Sequence, residues 1–308
     1  MGKIFGAEFL HLPDLFPGRP AGEPWGGRAV TLAVAGGPYL VSGLSAVQER
    51  DLRERFGGLC RDGGGEAVPL RVFRAPAGDF REIDTRGWEY ALDLDPSPGG
   101  LRVAGLRLMA RLDGMAGAPG LSGSLWTCEP AGEEWTAVCE NALRVLAAYR
   151  LLELGGAMIH SAGIAGDGEG YLLLGPSGAG KTTASQLCLE EGATVLSDDL
   201  NALVREGEGA RLLKLPFTGD LGDRAGAPAT VPLRALLRLA KGPERLRPLS
   251  RAAALAGLVA AAPFVNRDPW RREALLDALQ PLAAAVPAWE LTFPRGARLW
   301  SILRALPR

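Results

Sequence analysis

The sequence predicts an α/β fold built on a mixed sheet, preceded by a smaller β-rich domain, and three observations predict it. The apolar run 171–174 leads directly into Gly175-Pro-Ser-Gly-Ala-Gly-Lys181-Thr182 and then into a helical stretch, so strand, glycine loop and helix follow one another. Two strand-like runs, 157–165 and 171–174, are separated only by Gly166-Asp-Gly-Glu-Gly170. Five turn residues suit a hairpin, so this part of the sheet is antiparallel and not a βαβ crossover. Residues 66–130 read as short strands divided by turns, which places an N-terminal accessory or recognition domain over 1–130 and a second domain over 131–308.

Taken in order, residues 1–27 are rich in Gly and Pro and read as an irregular arm. The runs 29–35 and 39–41 flank a Gly-Gly-Pro turn and read as a hairpin. Ser45 suits the N-cap of an amphipathic helix over Ala46–Phe56, with Gln48 in the capping-box position and Gly57-Gly58 as its stop. Strands are expected over 68–73, 88–94, 101–112 and 121–128, with Asp95-Pro-Ser-Pro-Gly-Gly100 as a turn. This half carries no catalytic signature and reads as an accessory layer or an acceptor-recognition module. Trp135, Val138, Cys139, Ala142, Leu143, Leu146, Tyr149 and Leu152 recur at helical spacing, giving a helix over 133–154 closed by Gly155-Gly156. Beyond the glycine loop a helix runs to Glu191, a short buried strand covers 193–196, and 200–204 with 210–215 form another hairpin. The loop 216–224 follows, with Asp220 and Arg224 as candidates for acceptor recognition. Then come a strand (233–239), a helix N-capped by Ser250, a helix (270–282), a strand (289–293) and a last helix (297–305).

Composition narrows the function classes. The formal net charge is −1, which argues against broad nucleic-acid binding, and only four of the 34 basic residues are Lys, one of them Lys181. Cys60, Cys128, Cys139 and Cys188 are scattered without a C-x-x-C pair and read as reduced, buried thiols. The N-terminus lacks the apolar segment of a signal peptide. The longest apolar run, 252–264, has thirteen residues, too few to span a bilayer, and reads as a buried helix in a cytoplasmic protein with no membrane partner.

The glycine loop carries the chemistry. Gly175, Ser177, Gly178, Ala179 and Gly180 let successive backbone N–H groups turn around phosphate oxygens, and Thr183 continues the helix whose positive end faces the anion. Lys181 reaches the outer phosphates and Thr182 offers a hydroxyl to Mg²⁺. In Ser197-Asp198-Asp199 the two carboxylates lie seventeen and eighteen residues beyond Lys181, at the carboxyl end of the neighbouring strand, where ligands of open α/β sheets bind. One carboxylate can hold Mg²⁺ and the other can accept a proton from an attacking hydroxyl. Adjacent carboxylates raise one pKa, which suits a base. Pairing residue 165 with 171 across the hairpin leaves His160 beside the loop's mouth.

Together, His160-Ser-Ala, the hairpin, Gly175-Pro-Ser-Gly-Ala-Gly-Lys-Thr182 and Leu196-Ser-Asp-Asp199 resemble the catalytic domain of HPr kinase/phosphorylase and its stand-alone relatives. That fold is of the phosphoenolpyruvate carboxykinase type. The resemblance is specific over 157–204. It implies Lys181 on the β- and γ-phosphates, Thr182 and Asp198 serving Mg²⁺, Asp199 as catalytic base, and His160 as a phosphate contact or support. Pro176 stands where HPr kinases often carry an acidic residue, and no counterpart of their HPr-contacting glycine-rich segment or N-terminal domain is found. The shorter relatives include kinases of peptides and of small molecules.

The expectation is therefore an ATP-dependent kinase acting on a hydroxyl, a serine of a peptide or small protein first and a small-molecule alcohol second. A regulatory nucleotide-binding scaffold or ATPase without an acceptor, and carboxykinase chemistry, are the other readings. The family's oligomers extend the expectation to a homo-oligomer.

Overall fold

The computed structural model describes residues 22–62, 65–80, 92–115, 120–217, 219, 221–222, 226–294 and 296–307. The chain separates into two units, Met1–Arg150 and Leu151–Arg308.

In the first unit, eight strands form one sheet in the order β3-β1-β2-β4-β8-β7-β6-β5. They are β1 (Arg28–Leu32), β2 (Tyr39–Leu44), β3 (Cys60–Arg61), β4 (Val68–Arg74), β5 (Asp93–Ser97), β6 (Gly100–Gly105), β7 (Leu108–Asp113) and β8 (Ser122–Thr127), joined by α1 (Ala46–Phe56) and followed by α2 (Gly132–Glu153). The first hairpin is antiparallel, whereas β4 runs parallel to both its neighbours, β2 and β8, and β8 pairs antiparallel with β7. The capping box forms: Gln48 N donates to Ser45 Oγ at 3.1 Å and Ser45 N to Gln48 Oε1 at 3.0 Å.

Three expectations for this unit change. The single strand expected over 101–112 is a hairpin, β6 and β7, turning at Leu106 and Arg107, and Arg107 sits at φ 52°. A left-handed turn without Gly or Asn at that position gave no sequence signal. The turn expected over 95–100 narrows to Pro98 and Gly99, because residues 95–97 pair within β5. Of the strand expected over 88–94, residues 88–91 lie outside the described residues, as does most of the 1–27 arm. The division also falls after Arg150 and not at 130/131. The long helix is stapled to the first unit: Trp135 Nε1 donates to Gln48 O at 3.2 Å, Gly132 N to Asp51 Oδ2 at 2.7 Å, and Gln48 Nε2 to Glu129 O at 3.1 Å.

In the second unit, nine strands share a mixed sheet. They are β9 (Ala157–His160), β10 (Ala162–Gly166), β11 (Glu169–Leu174), β12 (Thr194–Ser197), β13 (Leu200–Glu206), β14 (Gly209–Lys214), β15 (Thr230–Ala240), β16 (Arg245–Pro248) and β17 (Ala288–Thr292), with helices α3 (Lys181–Glu190), α4 (Arg251–Ala261), α5 (Arg272–Ala285) and α6 (Leu299–Arg304). The main path runs β12-β10-β11-β15-β14-β13-β9, and β15 also pairs with β17, which pairs with β16. Tyr171, Leu173, Ala235, Leu237, Ala184, Cys188, Leu299 and Leu303 form the core between the sheet and α3 and α6. No described helix is long and apolar enough to cross a membrane.

Here too the structure departs from expectation. Residues 157–165 are not one strand, because Ser161 interrupts them: β9 pairs with β13, and β10 pairs with β11 and β12. Since β9 lies at one end of the strand order and β10 near the other, a join of one residue requires the sheet to curl back on itself. The β10/β11 register is one residue off the expected one, with Ala165 opposite Gly170. The run 252–264 is not a buried helix either. Within α4 only Ala254 and Leu258 are buried, and Ala252, Ala256 and Ala260 face solvent. Strand β16 had no sequence signal, because its Arg-Leu-Arg-Pro content is that of an edge.

Candidate functional site

The glycine loop closes β11 onto α3. Gly178 and Gly180 sit at φ 73° and 103°, a left-handed region that strains any side chain, and Gly180 is the N-cap of α3. Gly175 is fixed by packing: a Cβ there would lie 2.6 Å from the Ala179 methyl. Ala179 N donates to Pro176 O at 3.1 Å, tightening the turn, and the first intrahelical bond is Ala184 N to Gly180 O at 2.8 Å. The amides of residues 181–183 therefore lack helical acceptors, and those residues line the adjoining cleft. Lys181 folds back over the loop, its Nζ donating to Gly175 O at 2.9 Å and Pro176 O at 3.5 Å. Burial lowers its pKa, and the nearby Asp199 carboxylate pulls the other way.

The acids reach the same cleft by a route that differs from the expected one. β12 is not the neighbour of β11, because β10 lies between them. Both pair antiparallel with β10, so β11 and β12 run in the same direction and their carboxyl ends, Leu174 and Ser197, fall on one edge. The amino end of β10 lies on that edge too, and with it Ser161 and His160. His160 enters through β9, opposite Leu200 of β13, and not through the β10/β11 hairpin.

The resulting cleft has a volume of about 520 Å³, within the range of ligand sites. His160, Ser177, Gly178, Gly180, Lys181, Thr182, Thr183, Asp198 and Asp199 line it, together with Gly219. Of the residues expected at the site, Gly175 and Ala179 shape the loop without lining the cleft. Asp220 and Arg224 lie outside the described residues.

Asp198 is 6 % exposed. Leu221 N donates to its Oδ2 at 3.2 Å, while Oδ1 has no hydrogen-bond partner among the described residues. The main chain at Gly219 closes over this carboxylate, since a Cβ there would come 2.7 Å from Oδ1. His160 Nε2 lies 3.6 Å from Asp199 Oδ1. Burial first, then the Lys181 charge, lower the His160 pKa below 6.5, against an upward pull from Asp199. At neutral pH the imidazole is therefore uncharged and can accept or donate a proton through Nε2.

Sequence reasoning did not single out Gly219, nor the buried Asn201 beneath the site. A lone glycine in a polar loop, and an asparagine inside an otherwise apolar strand, were the available signals.

No family model and no curated protein sequence matches this chain. Among solved structures it is similar to the Hpr(Ser) kinase/phosphatase from Coxiella burnetii, at 12% identity over 48% of this chain and 92% of that one, with a TM-score of 0.27. At that score the likeness carries neither fold nor activity, and the chemistry of the cleft stands on its own residues.

Proposed function

We propose that this chain is an ATP-dependent kinase that moves the γ-phosphoryl group to a hydroxyl, a serine of a peptide or small protein. The carrying observation is one cleft lined by Lys181 and the glycine loop together with Asp198, Asp199 and His160. The loop amides and the start of α3 would hold the phosphate oxygens, and Lys181 would exchange the carbonyls of Gly175 and Pro176 for the β- and γ-phosphates.

Thr182 and Asp198 fit a Mg²⁺ ion: both offer hard oxygen donors, and Asp198 Oδ1 is buried without a hydrogen-bond partner among the described residues. When bound, that ion would neutralise charge on the phosphates. Asp199 accepts the proton of the acceptor hydroxyl as the new O–P bond forms. The bond from γ-phosphorus to the bridging oxygen breaks, and ADP leaves with that electron pair. His160, uncharged and beside Asp199, steadies the carboxylate without competing for the phosphates as a cation. The contribution of these groups is positioning and electrostatic stabilisation.

Two substitutions and one labelling experiment test this reading. Lys181→Ala is expected to lose nucleotide binding. Asp199→Asn is expected to keep ATP binding and lose transfer by about 10²–10⁴-fold, the usual worth of a positioned base. Full transfer by Asp199→Asn would remove it as the base. Incubation with γ-labelled ATP and cell extract should label a macromolecular acceptor. Label in a small-molecule fraction alone would move the acceptor class, and label in neither would leave a nucleotide-binding scaffold or ATPase.

A further inference from the structure

Beneath the cleft, one buried amide joins the strand ends that deliver its acids and its histidine. Asn201 on β13 is fully buried. Its Nδ2 donates to Ser161 O at 2.9 Å, Ser161 Oγ at 3.2 Å and Ser197 O at 3.3 Å. Ser161 Oγ spends its own proton on Ile159 O at 3.0 Å, so toward the amide it is an acceptor. Two more links complete the frame. Ser161 N donates to Asp199 O at 2.9 Å, and Ser197 Oγ accepts from the amides of Asp199 and Leu200, each at 3.2 Å. The break between β9 and β10, which sets His160, is thereby tied to the turn that sets Asp198 and Asp199.

The amide is a costly choice for folding alone. Leu200, Ala202 and Leu203 flank it in the same buried strand, and Asn201 Oδ1 has no hydrogen-bond partner among the described residues. An unsatisfied buried acceptor destabilises the fold, and an apolar side chain would avoid that cost. Room for it is also kept from the opposite strand, since a Cβ on Gly163 would collide with the Asn201 side-chain oxygen.

We infer that Asn201 is the positioning residue of this site, holding His160 and the Asp198-Asp199 turn in the arrangement that faces the phosphate loop. In its kinetic consequence the inference rests on the kinase reading; in its structural consequence it does not. The loop itself is built by β11 and α3, which the Asn201 amide does not bond. Loss of Asn201 should therefore separate transfer from nucleotide binding.

The test uses the full chain with Asn201→Leu and Gly163→Ala, the second keeping the amide but displacing it. Three readouts are taken on folded protein: nucleotide affinity, kcat and KM for phosphoryl transfer, and the His160 titration by NMR, its signal assigned with His160→Gln. Expected are near-native nucleotide affinity, a fall in kcat of about 10²-fold as for reacting groups misplaced by an ångström, and a His160 titration displaced toward its ordinary value. Native kcat with an unchanged His160 titration would overturn the inference. So would equal losses of affinity and kcat, which would mean collapse of the whole cleft. Should Asn201→Leu fail to fold, Gly163→Ala decides by the same criteria. Should the native protein transfer phosphoryl to no acceptor, the kinase reading falls, and the His160 titration still decides the role of Asn201.

Discussion

Gly178 and Gly180 share a left-handed backbone yet face different surroundings, which makes their substitutions informative. Nothing lies within 4 Å of a Cβ built on Gly178, whereas one on Gly180 would meet the Phe293 ring at 3.6 Å. Both alanine variants pay about 1–2 kcal/mol for the left-handed conformation. Gly178 lines the cleft and a methyl there meets open space, so in Gly178→Ala nucleotide affinity is expected to fall further than the stability loss explains. Calorimetric titration against thermal unfolding would separate the two effects, and equal nucleotide affinity in Gly178→Ala would place the phosphates elsewhere. His160 adds a pH signature. Its folded pKa lies below the unfolded 6.5, so its contribution to stability is complete above 6.5 and is lost as pH falls from there through the lower folded pKa. Compared with His160→Asn, the native protein should lose relative stability in the window that opens at pH 6.5 and extends down to that folded pKa. A constant difference across that window would mean the imidazole is not held in its neutral form.

At the scale of elements, the last helix depends on a residue outside it. Glu191, just past α3, accepts from Trp300 N at 2.9 Å, Ser301 N at 3.3 Å and Ser301 Oγ at 2.7 Å, so its carboxylate caps the start of α6. Burial pushes its pKa up, but the Ser301 hydroxyl and the two amides, with Arg298, outweigh this and leave it below 4.5. Glu191→Ala should cost about 1 kcal/mol in denaturant unfolding at pH 7, as for a lost cap. That difference should vanish as pH falls through the lowered pKa, because the stabilisation exists only while the carboxylate is ionised. No sequence rule would have found this cap, whose bonds span more than a hundred residues. The same distinction runs through the molecule. Local signals were legible: the Ser45 capping box, the Ser250 N-cap, the helical spacing of α2, and the strand-loop-helix order around Gly175. Features set by distant partners were not. Ser161 breaks a run that reads as one strand because β13 takes up β9, and β10 intrudes between β11 and β12 because the sheet curls. His160 was expected beside the loop, but through the wrong strand pair.

At the scale of the molecule, the two units make separate claims on stability. Every residue lining the proposed nucleotide cleft belongs to Leu151–Arg308, while the Gln48, Trp135 and Glu129 staple belongs to Met1–Arg150. A ligand that binds only the folded form stabilises what it binds by about 2.7 kcal/mol at a hundredfold excess over Kd. Hydrogen exchange read along the chain should therefore slow in β11, α3, β12 and β13 on addition of Mg²⁺ and ATP. Exchange in β1, β2, β4 and α1 should stay as it was. Breaking the staple with Gln48→Leu should do the reverse. It leaves the Ser45 amide without its side-chain acceptor and removes the bond to Glu129 O, a loss of about 1–3 kcal/mol for buried polar groups. Exchange should then quicken in the first unit while the nucleotide effect on the second persists. Nucleotide protection spread evenly over both units, and absent in the same measure from Gln48→Leu, would mean that the chain unfolds as one cooperative body. Protection confined to the first unit would move the nucleotide away from Lys181 altogether, and the phosphotransfer proposal with it.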